Sequence, residues 1–237
     1  MHPLTPVRAA IWLYFWLQLL EGVLRKWMFP GWSDVIFIIR DPLVILTYAL
    51  AIIARVFPLR PAIIVAGIMA VLSLAFSLAG SSLLVVTVFG LRTNYLHLPL
   101  IFLMAHVFDR GDVIRFGRWF MLTSVPVIVL MWFQFEAPAD AWVNAGVSGK
   151  EMGQLRGAMG RIRPPGPFSF IAGVVAYFGI VAAFVFYGWL QRGAYSRLLL
   201  IVATLVLTAA IPISISRSLL FAVLVVAAFG LGVAARD

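Results

Sequence analysis

The chain has no cysteine, only three histidines and only nine acidic residues in 237. Without cysteine there can be neither a disulfide nor a thiolate metal site. No metal-ligand spacing of other residues is present, and the phosphate-cradling GxxxxGK[ST] and nucleophile-elbow GxSxG patterns are missing too. A DxD-like pair for metal-dependent transfer from a sugar nucleotide is also absent, since Asp109 and Asp112 are too far apart. Charge of either sign is sparse, at 11% of residues against 63% hydrophobic, with a mean hydropathy of +1.05. That balance excludes an ordinary soluble domain.

What is present is apolar sequence in long runs. Residues 8–25, 35–57, 62–79, 82–107, 119–137, 168–190, 197–212 and 214–234 are each bounded by charge, proline or glycine. They predict an all-α, polytopic transmembrane bundle of about eight helices, a single membrane domain over residues 1–237. The first run resembles the start of a secretory signal, but no small-x-small cleavage site follows it, so it reads as a retained helix. Leu91-Arg92-Thr93-Asn94 interrupts the fourth run and marks a break or a re-entrant piece.

The net charge of +9 would suggest nucleic acid in a soluble protein. Here the basic residues fall in loops and helix ends, where membrane orientation and anionic lipid explain them. With the N-terminus cytoplasmic, the inner side receives Arg8, Arg55, Arg60, Arg110, Arg115, Arg118, Arg192, Arg197 and Arg236; the short outer connections receive only Arg25, Lys26 and Arg217. The long loop over residues 138–167, with Lys150, Arg156, Arg161 and Arg163, is then external. The segment from Asp109 to Arg118 reads as a basic, capped anchoring helix at the cytoplasmic surface.

The external loop ends in Arg161-Ile162-Arg163-Pro164-Pro165-Gly166-Pro167-Phe168. Proline fixes its own torsion and pushes the preceding residue out of the helical region, and Gly166 permits a turn that a side chain resists. Two guanidinium groups are thus presented on a stiff strap before a helix, as planar cations suited to phosphate or carboxylate. The helices expected to begin near Phe168 and Ser214 both point their positive N-terminal ends outward, beside Arg161, Arg163 and Arg217. An anionic ligand at the outer leaflet is the natural inference.

Other charges near that side are Glu21 with Arg25, at ion-pair spacing on a helix; Arg40-Asp41, expected about 8 Å below the outer surface; and Glu136 at the end of the fifth span. Arg40 and Asp41 either neutralise each other, bond neighbouring helices or support the ligand site. Arg92 falls near mid-membrane with no partner evident in the sequence. His97 and His106 are expected in the inner half of the fourth span, away from the outer cluster, and His2 is terminal; none is read as a base.

Arg163-Pro-Pro-Gly166-Pro-Phe168 followed one hairpin later by Ser216-Arg217-Ser218 resembles the O-antigen ligase and polysaccharide polymerase superfamily of bacterial envelopes. Glu21-Gly-Val-Leu-Arg-Lys-Trp27, Arg40-Asp41-Pro-Leu and Leu91-Arg-Thr-Asn-Tyr-Leu-His97 look like a subgroup of it. The resemblance implies transfer of a glycan from a polyprenyl pyrophosphate carrier to a sugar or lipid acceptor, outside the bacterial cytoplasmic (inner) membrane, without metal or cofactor. It places Arg163 and Arg217 on the diphosphate with Gly166 shaping the turn, and Arg161 is positioned to assist. Relatives tend to carry Asn-Pro where this chain has Ser169-Phe170. They have roughly a dozen helices and a later external loop with the histidine proposed as base. No residue here matches that base, so residues 1–237 correspond to the donor-binding half of the family's architecture, or to a short relative. The rival classes are a flippase or exporter of lipid-linked glycan, which also needs intramembrane charge and helix breaks, and a non-catalytic scaffold for envelope assembly.

Overall fold

The computed structural model describes residues 4–80, 83–147 and 160–235. His2, Lys150, Arg156 and Arg236 lie outside them. Helix α1 spans Thr5–Val23 and runs into a π turn, Leu24–Met28. A 3-10 turn, Pro30–Trp32, then leads into α2, Ser33–Ile38, and α3, Arg40–Ile53. There follow α4, Pro61–Ala79; α5, Leu84–Leu91; a π turn, Arg92–Leu96; and α6, Leu98–Val107. The chain continues with α7, Arg110–Glu136; α8, Ile171–Leu190; α9, Arg197–Ile213; and α10, Arg217–Ala234.

Seven of the resulting stretches are long and apolar enough to cross a membrane, and α9, with 17 residues, is a shorter apolar helix. Large side chains such as Phe76, Val85 and Phe229 stand about three-quarters exposed on them, the pattern of a lipid-facing exterior. The chain is an all-α, multi-pass membrane protein.

Local chemistry sets the helix starts. Pro61 occupies the first turn of α4, where its missing N–H is unneeded. Ser196 and Ser216 cap α9 and α10 by accepting from the N–H groups of Leu199 and Leu219. Two expectations are corrected. The second span begins at Pro30, not near residue 35, because a proline-led turn continues the helix. Arg40 and Asp41 therefore lie ten and eleven residues along it, about 15 Å at 1.5 Å per residue and not about 8 Å. Pro42, unable to donate to the Ile38 carbonyl, accounts for the interruption between α2 and α3. The basic segment before the fifth span is not a separate anchoring helix; it is the first turns of the 27-residue α7.

The helices gather into two compact units, and both are discontinuous in sequence where the sequence suggests one domain. Unit one comprises Met1–Gln18 and Ile38–Asp109; unit two comprises Leu19–Phe37 and Arg110–Asp237. In unit one, Val7 and Ile11 of α1, Val44 and Ala51 of α3, and Leu100, Leu103 and Val107 of α6 form a buried core at helical spacings. Arg8 closes α6 by donating to the Val107 carbonyl at 3.0 and 3.2 Å. In unit two, α8 packs against α7, α9 and α10, and α9 against α7. Gly117 and Gly188 sit where a Cβ would strike Phe184, Tyr195 or Leu200, so small residues set these close approaches.

Candidate functional site

The strap over residues 164–168 is buried throughout. Gly166 adopts φ +58°, a left-handed conformation that a side chain resists, as its sequence context predicts. Gln134, fully buried on α7, holds both backbone polar groups of Gly166. Its Oε1 accepts from the Gly166 N–H at 2.7 Å, while its Nε2 donates to the Gly166 carbonyl at 3.4 Å and to the Val143 carbonyl at 3.1 Å. Asn144 fixes that arrangement by donating to the Pro138 carbonyl at 2.7 Å and the Gln134 carbonyl at 3.2 Å.

From the other side comes the end of α1. Gly22 lies so close to the strap that a Cβ would stand 2.0 Å from the Pro167 carbonyl oxygen. Lys26, 2% exposed, donates from Nζ to the Gly166 carbonyl at 3.2 Å and lies 5.2 Å from the Trp27 ring. Arg25 pairs with Glu21 at 2.9 Å, both buried, and also donates to Ser33 and Ser169 at 3.1 Å. The i, i+4 pair read from sequence thus exists, with Nε and Nη1 of Arg25 both engaged.

The two arginines of the strap fare differently. Arg161 donates to the Phe135 carbonyl at 2.6 Å, pairs with Glu136 at 3.3 Å and covers the Phe135 ring at 4.6 Å. It closes the C-terminal end of α7, where a cation is favoured. Arg163 is half-buried and its side chain makes no hydrogen bond or ion pair among the described residues. Its Nε is buried without a hydrogen-bond partner among the described residues. A guanidinium N–H left so is costly unless an acceptor meets it.

Arg217 is exposed in the first turn of α10, and its side chain likewise makes no hydrogen bond or ion pair among the described residues. Ile215, two residues earlier, has φ +48°, an outlier for a β-branched residue. The hydroxyl of Ser214 accepts from the Ser216 N–H at 3.3 Å and holds that turn. Strain of this kind persists only where its surroundings enforce it.

Unit one holds a second polar group. Asp41 pairs with Arg92, which therefore has the partner its sequence context did not reveal. His97 Nε2 stands 3.5 Å from Asp41 Oδ1, and its Nδ1 is 3.2 Å from the Tyr14 hydroxyl. His97 is thus not remote from the intramembrane charges: the π turn Arg92–Leu96 brings it and Arg92 to the same carboxylate. Arg40 donates to Gln18, so Asp41 bonds a neighbouring helix through Arg92. His106 is exposed in the last turn of α6.

Sequence reading left out Gln134, Asn144, Ser169 and the burial of Lys26. Gln134 carried a signal, a lone amide in an apolar helix run two residues before Glu136. Among the described residues there is no cluster of His, Asp and Glu able to hold a metal. No family model, curated protein or solved structure matches the chain.

Proposed function

We propose that this chain binds the donor diphosphate of a polysaccharide ligase- or polymerase-like glycosyltransferase in a bacterial cytoplasmic membrane. Its donor is a glycan on a polyprenyl pyrophosphate, and its acceptor is a sugar or lipid at the outer face. The observation that carries this reading is the buried Nε of Arg163, without a partner among the described residues, on a strap clamped between the end of α1 and α7. In the transfer, an acceptor hydroxyl oxygen bonds to the anomeric carbon as the bond from that carbon to the diphosphate oxygen breaks. The polyprenyl diphosphate leaves with the electron pair, and cations fixed in advance stabilise the charge it gains. Arg163 and Arg217 supply them, each held by an unusual backbone turn. Arg161, Glu21 and Gly166 support the strap, and no residue here is assigned the acceptor's proton.

Arg163→Ala and Arg217→Ala in the full-length protein should each lower transfer from a lipid-linked donor by about 10²-fold or more, the usual loss for one such donor. Arg163→Lys should restore only part, since a point charge does not reproduce a guanidinium fork. Wild-type transfer by both alanine variants overturns the reading.

A second reading, a carrier for lipid-linked glycan, is favoured by the buried Asp41 with the half-buried Arg92 and His97 beside broken helices in unit one. Substrate flux in liposomes without a new glycosidic bond, lost in Asp41→Asn, would select it over transfer; absence of flux would remove it.

A further inference from the structure

A different charged region lies at the opposite end of α7 from Glu136, where α7 begins and α8 turns into α9. Arg118 on α7, Arg192 in the turn and Arg197 at the start of α9 are all exposed, and Arg110 and Arg115 extend the basic character along α7. Asp112 is the acid in the first turn of α7, and it is buried.

Two grooves open here. One, about 420 Å³, runs between α7 and α9, with Arg118 and Ser196 at one end and Leu122, Val125, Leu199 and Val202 along its length. The other, about 610 Å³, is lined by Trp189, Arg192, Tyr195 and Arg197 among others. Tyr195 is 7% exposed, and its hydroxyl lies against Gly117, the residue before Arg118, so closely that a Cβ there would stand 2.2 Å away. That hydroxyl is buried and has no hydrogen-bond partner among the described residues. Tyr195 thus wedges between α7 and the turn that carries Arg192 and Arg197, and fixes that turn against the helix that carries Arg118.

The helix lengths place this polar group at headgroup level. Arg118 lies eight residues beyond Arg110, so the first turns of α7 project about 12 Å further than Arg118 itself. Below Arg118 the groove is walled by leucine and valine. An arginine cluster above an apolar furrow matches a molecule with a phosphate at one end and a hydrocarbon chain at the other.

We propose that this end of unit two is a binding site for an anionic phospholipid, its phosphate held by Arg118, Arg192 and Arg197 and one acyl chain lying in the α7–α9 groove. Guanidinium forks suit phosphate oxygens. A zwitterionic lipid brings its own cation into the arginine cluster, and a free phosphate leaves the furrow uncovered. The positive-inside count assigns this end to the cytoplasmic leaflet, the side on which anionic lipid is met. The site is independent of the glycan-transfer reading.

The test is native mass spectrometry of the delipidated full chain with phosphatidylglycerol, phosphatidylcholine or glycerol 3-phosphate. Phosphatidylglycerol should be retained at least about fivefold more tightly than phosphatidylcholine, and glycerol 3-phosphate should not be retained. One surface arginine is worth about fivefold in lipid affinity, so Arg118→Gln with Arg197→Gln should lower retention by at least that much, while Arg60→Gln should not. Leu122→Trp, which fills the furrow and leaves the arginines intact, should also displace the lipid. The proposal fails if both lipids are held equally, if the double variant or Leu122→Trp retains phosphatidylglycerol as the wild type does, or if Arg60→Gln weakens it as much. Glycerol 3-phosphate held as tightly as the lipid would also overturn it, marking a free-phosphate site.

Discussion

Gln134 and Gly166, 32 residues apart, form a closed pair in which one side-chain amide satisfies both the N–H and the carbonyl of one buried residue. Lys26 adds a second hydrogen bond to the same carbonyl. A segment of three prolines and a glycine has little secondary structure to hold it, so these bonds take the place of a ladder.

Gln134→Leu keeps most of the volume and leaves the Gly166 N–H buried without an acceptor, at a cost of about 1–3 kcal/mol. The thermal midpoint in detergent should fall by several degrees, at about 2–4 °C per kcal/mol for a chain of this size. An unchanged midpoint would show that the strap is held by other means.

Gly22→Ala drives a methyl group into the Pro167 backbone, which cannot rotate away as a side chain could. A large loss of folded protein is expected, read by size-exclusion chromatography. Gly31→Ala, with nothing within 4 Å of the new carbon, should elute as the wild type does. Equal behaviour of the two variants would contradict the close approach of α1 to the strap.

Asp41 and Arg92 should couple strongly. Removing either alone strands a charge among apolar helices and should cost about 3–5 kcal/mol, as for other buried pairs. Asp41→Asn combined with Arg92→Gln should recover part of that loss. Additive losses in a double-mutant cycle, read from thermal unfolding, would mean that the two do not share an energy term.

Burial pushes the Tyr195 phenol up from 10.0 to about 12, with Tyr187 adding to the rise and Arg118 opposing it. The folded state therefore holds this proton more tightly than the unfolded chain. The resulting contribution to stability is complete below pH 10 and is lost as pH rises from about 10 to about 12. The difference in phenolate absorbance between wild type and Tyr195→Phe should titrate near pH 12; a midpoint at 10 would place the hydroxyl in water.

Much of the architecture is legible in the sequence because lipid demands apolar runs of fixed length, and those runs stand out. The Glu21–Arg25 pair and the turn at Gly166 are legible for the same kind of reason, since local spacing and backbone torsion determine both. Arg92 with Asp41, and Lys26 with Gly166, are not: the partners lie 51 and 140 residues apart, and no periodicity links them. The first residues of α7 escape a hydropathy reading because charged side chains are at home at a membrane surface while the backbone beneath them stays helical.

Helix α9 rises only about 25 Å over its 17 residues, against a hydrocarbon layer of roughly 30 Å, while its packing neighbour α7 rises about 40 Å. The excess belongs to the charged first turns of α7, which stand clear of the hydrocarbon: from Trp119 to Glu136 that helix rises about 27 Å, within one turn of α9. The packed pair is therefore matched to a hydrocarbon layer slightly thinner than average, and its tolerance of thicker bilayers is set by how far α9 lengthens its reach through flanking residues.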